Sequence, residues 1–249
     1  MLFDKAHLIF MLVSSLVIIG LLIVCGRFIK VQKYRDLVLK IAALLTVIIH
    51  YSRLYVDYFT TGSAEIGSNM ILPVYPCNIA MWLLLIVAFY KNKQSKVFKV
   101  LAEITFYLGI VGGIAGIVLN EIYASNPNLA DWSVLNGLLS HCTMLFGCIY
   151  LLVGKYIRIR VDNMISVVIG LLLLFVDGWL IIGLYKMFAL DPPNSMYLLS
   201  PPVEALPWFN TYLIGLIAIV VFFTITSIYE WIAVPKEERW YRKIKKERK

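Results

Sequence analysis

Long apolar runs, separated by short polar segments, dominate the hydrophobic pattern of this chain. A transmembrane helix needs about 20 mostly apolar residues, and seven runs approach or exceed that length. The pattern therefore predicts an all-α polytopic membrane protein, with seven transmembrane helices in residues 1–235 and a basic tail in residues 236–249. The predicted spans are 7–29, 37–59, 72–90, 100–121, 134–154, 163–187 and 210–234.

The composition agrees with a membrane protein and excludes a large soluble domain. Of the 249 residues, 61% are hydrophobic and 15% are charged, and the mean hydropathy is +0.82. Soluble domains carry about 25% charged residues. Asp4 and Lys5 precede the first span, His7 begins it, and no small-residue cleavage site follows it. We therefore expect the first span to be a retained helix and not a signal peptide.

The positive charges fall in alternate connecting segments, which predicts the orientation. Counted together with the ends of the flanking spans, the segments after spans one, three and five and the C-terminal tail hold five, four, three and eight Lys or Arg residues, which is 20 of the 23. Cytoplasmic loops carry such an excess, so we expect the N-terminus outside and the C-terminus in the cytoplasm.

The net charge of +8 then belongs mainly to the cytoplasmic side. We expect the tail 236–249 to lie against anionic lipid headgroups, and we expect no nucleic-acid partner.

Polar side chains inside the predicted spans are costly in lipid and are candidates for function. By helix rise, they lie at similar depths in the outer half of the membrane, which predicts one polar chamber. Either these residues bind substrate, or the ionisable ones on span two form a structural ion-pair set. The residues are His50, Arg53, Asp57, Asn78, Asn136, His141 and Asp177.

Cys77 differs from the other cysteines because two prolines precede it. Pro76 suits the first position of a helix, so Cys77 is predicted to lie at a helix N-terminus, where the dipole favours a thiolate nucleophile. A histidine at similar depth would complete a Cys–His pair. The four cysteines show no metal-ligand spacing, so we expect neither a metal site nor a disulfide scaffold.

The outer segment 190–209 contains five prolines around Tyr197 and Trp208, which predicts a stiff cover with aromatic side chains at headgroup level. Three motifs stand out in the chain: Leu72-Pro73-Val74-Tyr75-Pro76-Cys77-Asn78-Ile79, Ser140-His141 and Asn194-Ser195-Met196-Tyr197-Leu198 with Pro201 and Pro207-Trp208. With these motifs, the sequence resembles the YwaF-like integral membrane proteins of bacteria and the related eukaryotic transmembrane protein 164. Two positions depart from the family pattern: Pro76, where Leu is frequent, and Ser195, where Tyr is frequent.

The resemblance implies a seven-helix protein of the bacterial plasma membrane that transfers acyl chains between phospholipids. It implies that Cys77 is the nucleophile and His141 the base, with no cofactor. Arg53 is the expected phosphate contact, and Tyr197 joins the candidate substrate contacts. Two alternatives remain open. One is a transporter or transporter subunit for a small anionic solute, and the other is a non-catalytic lipid-binding protein.

Overall fold

The computed structural model describes residues 2–62, 68–202 and 206–241, and no strand occurs in these ranges. The all-α prediction is therefore confirmed. Short 3-10 turns lie at Val161–Asn163, Ser195–Tyr197 and Lys236–Glu238. The α-helices are α1 (Lys5–Phe28), α2 (Gln32–Thr61), α3 (Ser68–Ile71), α4 (Pro76–Phe89), α5 (Lys96–Val118), α6 (Glu121–Ser125), α7 (Trp132–Val153), α8 (Ile165–Met187) and α9 (Thr211–Ala233).

Six stretches of helix in the described ranges are long and apolar enough to cross a membrane. They correspond to the predicted spans one, two, four, five, six and seven, and their bounds agree with the sequence pattern to within a few residues. The third predicted span contains α4, which is apolar but shorter, with 14 residues. The count of seven spans and the orientation of the termini remain predictions.

Helix starts follow from capping residues that the sequence contains. The side chains of Asp4, Ser95, Asp131 and Asn210 each accept a hydrogen bond from a main-chain N–H in the first turn of the helix that follows. The hydrogen bonds from Ser133 are the main reason that the pKa of Asp131 lies below its ordinary value. Asp131 fixes the start of α7, on which two candidate site residues lie.

The chain divides into two compact units, residues 1–156 and 157–249. In the first unit, α7 contacts α1, α2, α4, α5 and α6. Small residues allow these close approaches. A Cβ on Gly147 of α7 would lie 2.8 Å from the Leu84 side chain of α4 and 3.3 Å from Ala42 of α2. The first unit is therefore a helical bundle packed around α7.

A buried polar cluster attaches the start of α1 to the C-terminal end of α5. The fully buried His7 ring donates from Nε2 to the Ile117 carbonyl oxygen at 2.8 Å, and its Nδ1 accepts from the Phe3 N–H at 3.1 Å. The ring stacks on Tyr123, whose hydroxyl donates to Asp4 at 2.7 Å. Both nitrogens of His7 are satisfied, so this histidine is structural.

A second polar cluster closes the opposite end of the first unit. The Asp36 carboxylate accepts hydrogen bonds from Gln32, Lys93 and Tyr156, and the Lys93 ammonium lies 5.0 Å from the centre of the Tyr156 ring. Burial, followed by the bond to Asp36, raises the pKa of Tyr156. These contacts join the start of α2, the α4–α5 connection and the residues after α7.

In the second unit, the buried carboxylate of Glu230 on α9 is the main polar junction. It accepts from the Arg160 guanidinium at 3.3 Å, the Val161 N–H at 3.2 Å and the Trp240 N–H at 3.3 Å. The beginning of the predicted basic tail therefore folds against α9. Residues 242–249 of that tail lie outside the described residues, and its contact with anionic lipid remains a prediction.

Candidate functional site

Cys77 lies in the first turn of α4, as the two prolines predict. The helix begins at Pro76, and Tyr75 before it has extended backbone angles. The buried side chain of Asn78 turns back and accepts a hydrogen bond from the Tyr75 N–H at 3.1 Å. Asn78, which the sequence places among the candidate substrate contacts, therefore caps the helix that carries Cys77.

Two glycines of α5 allow Cys77 and His141 to pack at neighbouring positions on one face of that helix. A Cβ built on Gly112 would lie 3.1 Å from the Cys77 Cα, and a Cβ on Gly116 would overlap the His141 ring. Because Gly112 and Gly116 are four residues apart, they are separated by about 6 Å along α5. The two predicted catalytic side chains are thus on different helices, α4 and α7, and pack against adjacent turns of a third.

The hydrogen bond of His141 identifies which ring nitrogen is available. Nδ1 lies 2.6 Å from the carbonyl oxygen of Gly137, one turn earlier in α7. Since a carbonyl oxygen only accepts, Nδ1 carries the proton and the neutral ring presents Nε2 as its acceptor. Nε2 is also on the side of the ring that packs against Gly116. This tautomer is the one that a general base at Nε2 requires.

Three polar contacts align α2 with α7 beside this pair. The hydroxyl of Thr46 donates to that of Thr143 at 3.1 Å, the Trp132 indole donates to Ser52 at 3.0 Å, and the buried Asn136 amide lies 3.3 Å from the carbonyl oxygen of His50. The two helices are therefore antiparallel neighbours in this region. Asn136, a predicted substrate contact, here hydrogen-bonds the main chain of α2.

His50 on α2 is close enough to His141 for the two rings to interact electrostatically. The main chain of Asn69 accepts a hydrogen bond from the His50 ring. Nε2 of His50 is buried and has no hydrogen-bond partner in the residues that the structure describes, so the donor to Asn69 is Nδ1. A buried acceptor without a donor costs about 1–3 kcal/mol, which marks His50 as an unusual position in the bundle.

Arg53 and Asp57 form an ion pair one to two turns further along α2. The Arg53 Nε lies 3.3 Å from Asp57 Oδ2, and the two side chains are 30% and 27% exposed. Arg53 also interacts electrostatically with Asp131 at the start of α7. A partly exposed pair of this kind adds little stability, about 0–1 kcal/mol.

The remaining two predicted contacts belong to the second unit. Asp177 on α8 has one buried carboxylate oxygen without a hydrogen-bond partner in the described part of the chain. Tyr197 ends the 3-10 turn at Ser195–Tyr197, where it and Met196 have positive φ angles of 56° and 51°. Gly178 makes room for this turn, since a Cβ there would lie 3.0 Å from the Met196 side chain.

Sequence reasoning missed two features of this region. The carboxylate of Glu121, at the start of α6, interacts electrostatically with Cys77 and Tyr75. The second feature is the pair of glycines on α5, Gly112 and Gly116, which pack against the two candidate catalytic residues. Their spacing of four residues was visible in the sequence, but the identity of their partners was not.

The chemistry available to these residues is that of a thiol, two imidazoles and an ion pair. All four cysteines are free thiols. Within residues 2–62, 68–202 and 206–241, no group of three His, Cys, Asp or Glu side chains is arranged to hold a metal ion.

The fold and these residues define a polytopic, all-helical membrane protein with a polar cluster among the helices of its first unit. The chain belongs to the TMEM164 family, whose family model matches residues 2–229. The family relation predicted from three short motifs is thus confirmed, while the closer grouping with bacterial YwaF-like proteins remains a prediction. No curated protein and no solved structure is detectably similar to the chain.

Proposed function

We propose that this protein is a membrane acyltransferase that moves a fatty acyl chain between lipids through a thioester on Cys77. The observation that carries the proposal is the packing of Cys77 and His141 against Gly112 and Gly116, one turn apart on α5. The His141 tautomer supports it, because Nδ1 is held by the Gly137 carbonyl and Nε2 is the acceptor. A thiol beside an imidazole in this tautomer suits covalent acyl transfer.

The first half-reaction transfers the acyl chain to the enzyme. His141 takes the proton of the Cys77 thiol, and the sulfur attacks the ester carbonyl of a donor phospholipid. The ester carbon–oxygen bond breaks, the acyl chain stays on sulfur, and the proton leaves on the lysophospholipid oxygen. In the second half-reaction, an acceptor hydroxyl loses its proton, attacks the thioester carbonyl and releases the sulfur, which recovers the proton.

The other predicted residues would serve the lipid headgroup and the scaffold. The Arg53 guanidinium uses Nε for Asp57, and its remaining N–H groups suit a phosphate. Asn78 and Asn136 support Cys77 and His141 through their main-chain hydrogen bonds. The roles predicted for Asp177 and Tyr197, in the second unit, stay predictions from the sequence. The chemistry needs no cofactor, and we place the protein in the bacterial plasma membrane with phospholipids as its partners.

A thioester assay on purified protein tests the proposal directly. The protein is incubated with phospholipid carrying an isotopically labelled acyl chain, and the adduct is located by mass spectrometry before and after neutral hydroxylamine. We expect label on Cys77 that hydroxylamine removes, and none in Cys77→Ser. His141→Ala should slow its formation about 10²–10⁴-fold. Cys25→Ser is the matched control, because Cys25 is also a free, partly exposed thiol.

Absence of the adduct in the wild-type protein, together with full function of Cys77→Ser in cells, would overturn the proposal. The result would then favour a transporter. One feature suits that alternative, because the apolar segment before α4 is interrupted at Leu72–Tyr75, and transporters often bind solutes at broken helices. A lipid that copurifies without turnover would instead indicate a non-catalytic lipid-binding protein.

A further inference from the structure

His50 is a largely buried ionisable residue to which the proposed mechanism assigns no role. It shares three properties with His141. Each ring donates from Nδ1 to a main-chain carbonyl, of Asn69 for His50 and of Gly137 for His141. Each therefore has Nε2 as its acceptor. The two rings also lie on the helices that the Thr46–Thr143 bond and the Asn136 bond hold side by side.

The unpartnered Nε2 of His50 calls for a hydrogen-bond donor. Buried polar atoms in proteins are nearly always paired, and the described residues offer this nitrogen no N–H or O–H group. An acyl transfer site binds such a donor in every cycle, namely the hydroxyl group of a lipid. In the first half-reaction this hydroxyl is the leaving group, and in the second half-reaction a lipid hydroxyl is the attacking group. The hydroxyl oxygen carries a proton whenever it is not esterified.

We infer that His50 Nε2 binds the reacting hydroxyl of the lipid and carries its proton, while His141 serves the thiol of Cys77. This inference rests on the proposed acyltransferase function. In the first half-reaction, the thiol proton passes to His141, then to the neighbouring His50, and finally to the departing lipid oxygen. The second half-reaction runs along the same path in reverse, so that the proton returns to the sulfur and both imidazoles end neutral.

This division of tasks separates two measurable reactions of Cys77. Alkylation by a small reagent such as iodoacetamide requires only removal of the thiol proton, so it depends on His141. Acyl transfer also requires a proton on the lipid oxygen, so it depends on both histidines. A residue that only stabilises the bundle would not lower one rate and spare the other.

His50→Asn is the discriminating substitution, because its side-chain amide can still donate to the Asn69 carbonyl but offers no imidazole nitrogen. We expect acyl transfer from labelled phospholipid to fall about 100-fold or more, within the range of a general acid–base group. Alkylation of Cys77 should stay within about three-fold of the wild-type rate, because the thiol keeps His141 as its base. His141→Ala should slow both reactions by about 10²–10⁴-fold.

Two further variants keep the result interpretable. His50→Gln places an amide near the position of Nε2 that binds a hydroxyl but carries no proton, and it should also fail in transfer. Thr46→Val removes a hydrogen bond between the same two helices without touching either histidine, and it should keep both reactions. Thermal unfolding in detergent shows whether each variant is folded.

The outcomes separate this inference from the function on which it rests. If the wild-type protein forms the thioester and His50→Asn transfers acyl chains at the normal rate, the role of His50 is refuted. The proposed acyltransferase function would still stand in that case. A parallel fall of alkylation and transfer in folded His50→Asn would also overturn it, since His50 would then act on the thiol. Absence of a thioester in the wild-type protein would remove the proposed function and this inference together.

Discussion

Replacing Gly116 by alanine tests the geometry of the candidate site with a single methyl group. A Cβ at this position would overlap the imidazole ring of His141, so either the ring or α5 has to move. The imidazole ring moves more easily than the α5 backbone, because the ring is held mainly by the 2.6 Å hydrogen bond from Nδ1 to the Gly137 carbonyl oxygen. To restore van der Waals contact at about 3.5 Å, the ring must move by about 1.5 Å, which displaces Nε2 from its position against Gly116.

The expected effects on stability and on activity differ in size. Overpacking costs about 1–3 kcal/mol, and loss of the His141–Gly137 bond costs about 1 kcal/mol. Alanine in place of glycine in a helix returns about 1 kcal/mol. The free energy of unfolding should therefore fall by about 1–3 kcal/mol. A 1 Å displacement of a catalytic group lowers the rate about 100-fold, so acyl transfer should suffer far more than folding.

The assay compares Gly116→Ala with Gly20→Ala, both by thermal unfolding in detergent and by formation of the thioester adduct. Gly20 lies in α1 and has no atom within 4 Å of its added Cβ, so it reports the effect of the substitution without the contact. Adduct formation by Gly116→Ala at the wild-type rate would refute the placement of His141. An equal loss in Gly20→Ala would show that the effect is not local.

Two further predictions concern orientation and the second unit. With the native cysteines replaced, a membrane-impermeant thiol reagent applied to intact cells should label Asp191→Cys and spare Lys91→Cys. Lys91 lies in a lysine-rich segment, which is expected on the cytoplasmic side. The reverse labelling pattern would show that the orientation is inverted. Arg160→Met leaves the 1% exposed Glu230 without its cation and should destabilise the protein by about 3–5 kcal/mol in detergent unfolding. The exposed Arg158→Met should change stability by less than about 0.5 kcal/mol, and equal effects of the two substitutions would contradict the importance of this pair.

The helices were largely predictable because a membrane protein must satisfy every main-chain group within its own helices, and this makes apolar length a direct signal. The start of α4 followed from Pro76, which lacks an N–H and suits the first helical turn. The short α3 and α6 were not predicted. Each is a brief helix next to a longer element, and neither has an apolar run of its own.

The candidate site was only partly predictable, because depth in a membrane does not give rotation about the helix axis. Similar depths placed Cys77 and His141 in one region, and the structure adds the glycines that bring them to one strip of α5. The contacts of Asn78 and Asn136 depend on side-chain rotamers and on the neighbouring helix, which the sequence does not encode locally. The burial of His7 is a further example, since it follows from contacts with residues more than 100 positions away in the sequence.

The length of α4 has a consequence for how a lipid would reach Cys77. With 14 residues, α4 is about 21 Å long, whereas the hydrocarbon core of a bilayer is about 30 Å thick. A thiol at its first turn therefore lies about 9 Å inside the hydrocarbon region if the other end of α4 is at the opposite boundary. The ester groups of phospholipids lie at that boundary, so the membrane beside α4 must become thinner or the lipid must sink toward the sulfur. Acyl transfer by this protein should consequently be faster in vesicles of short-chain lipids than in thick bilayers.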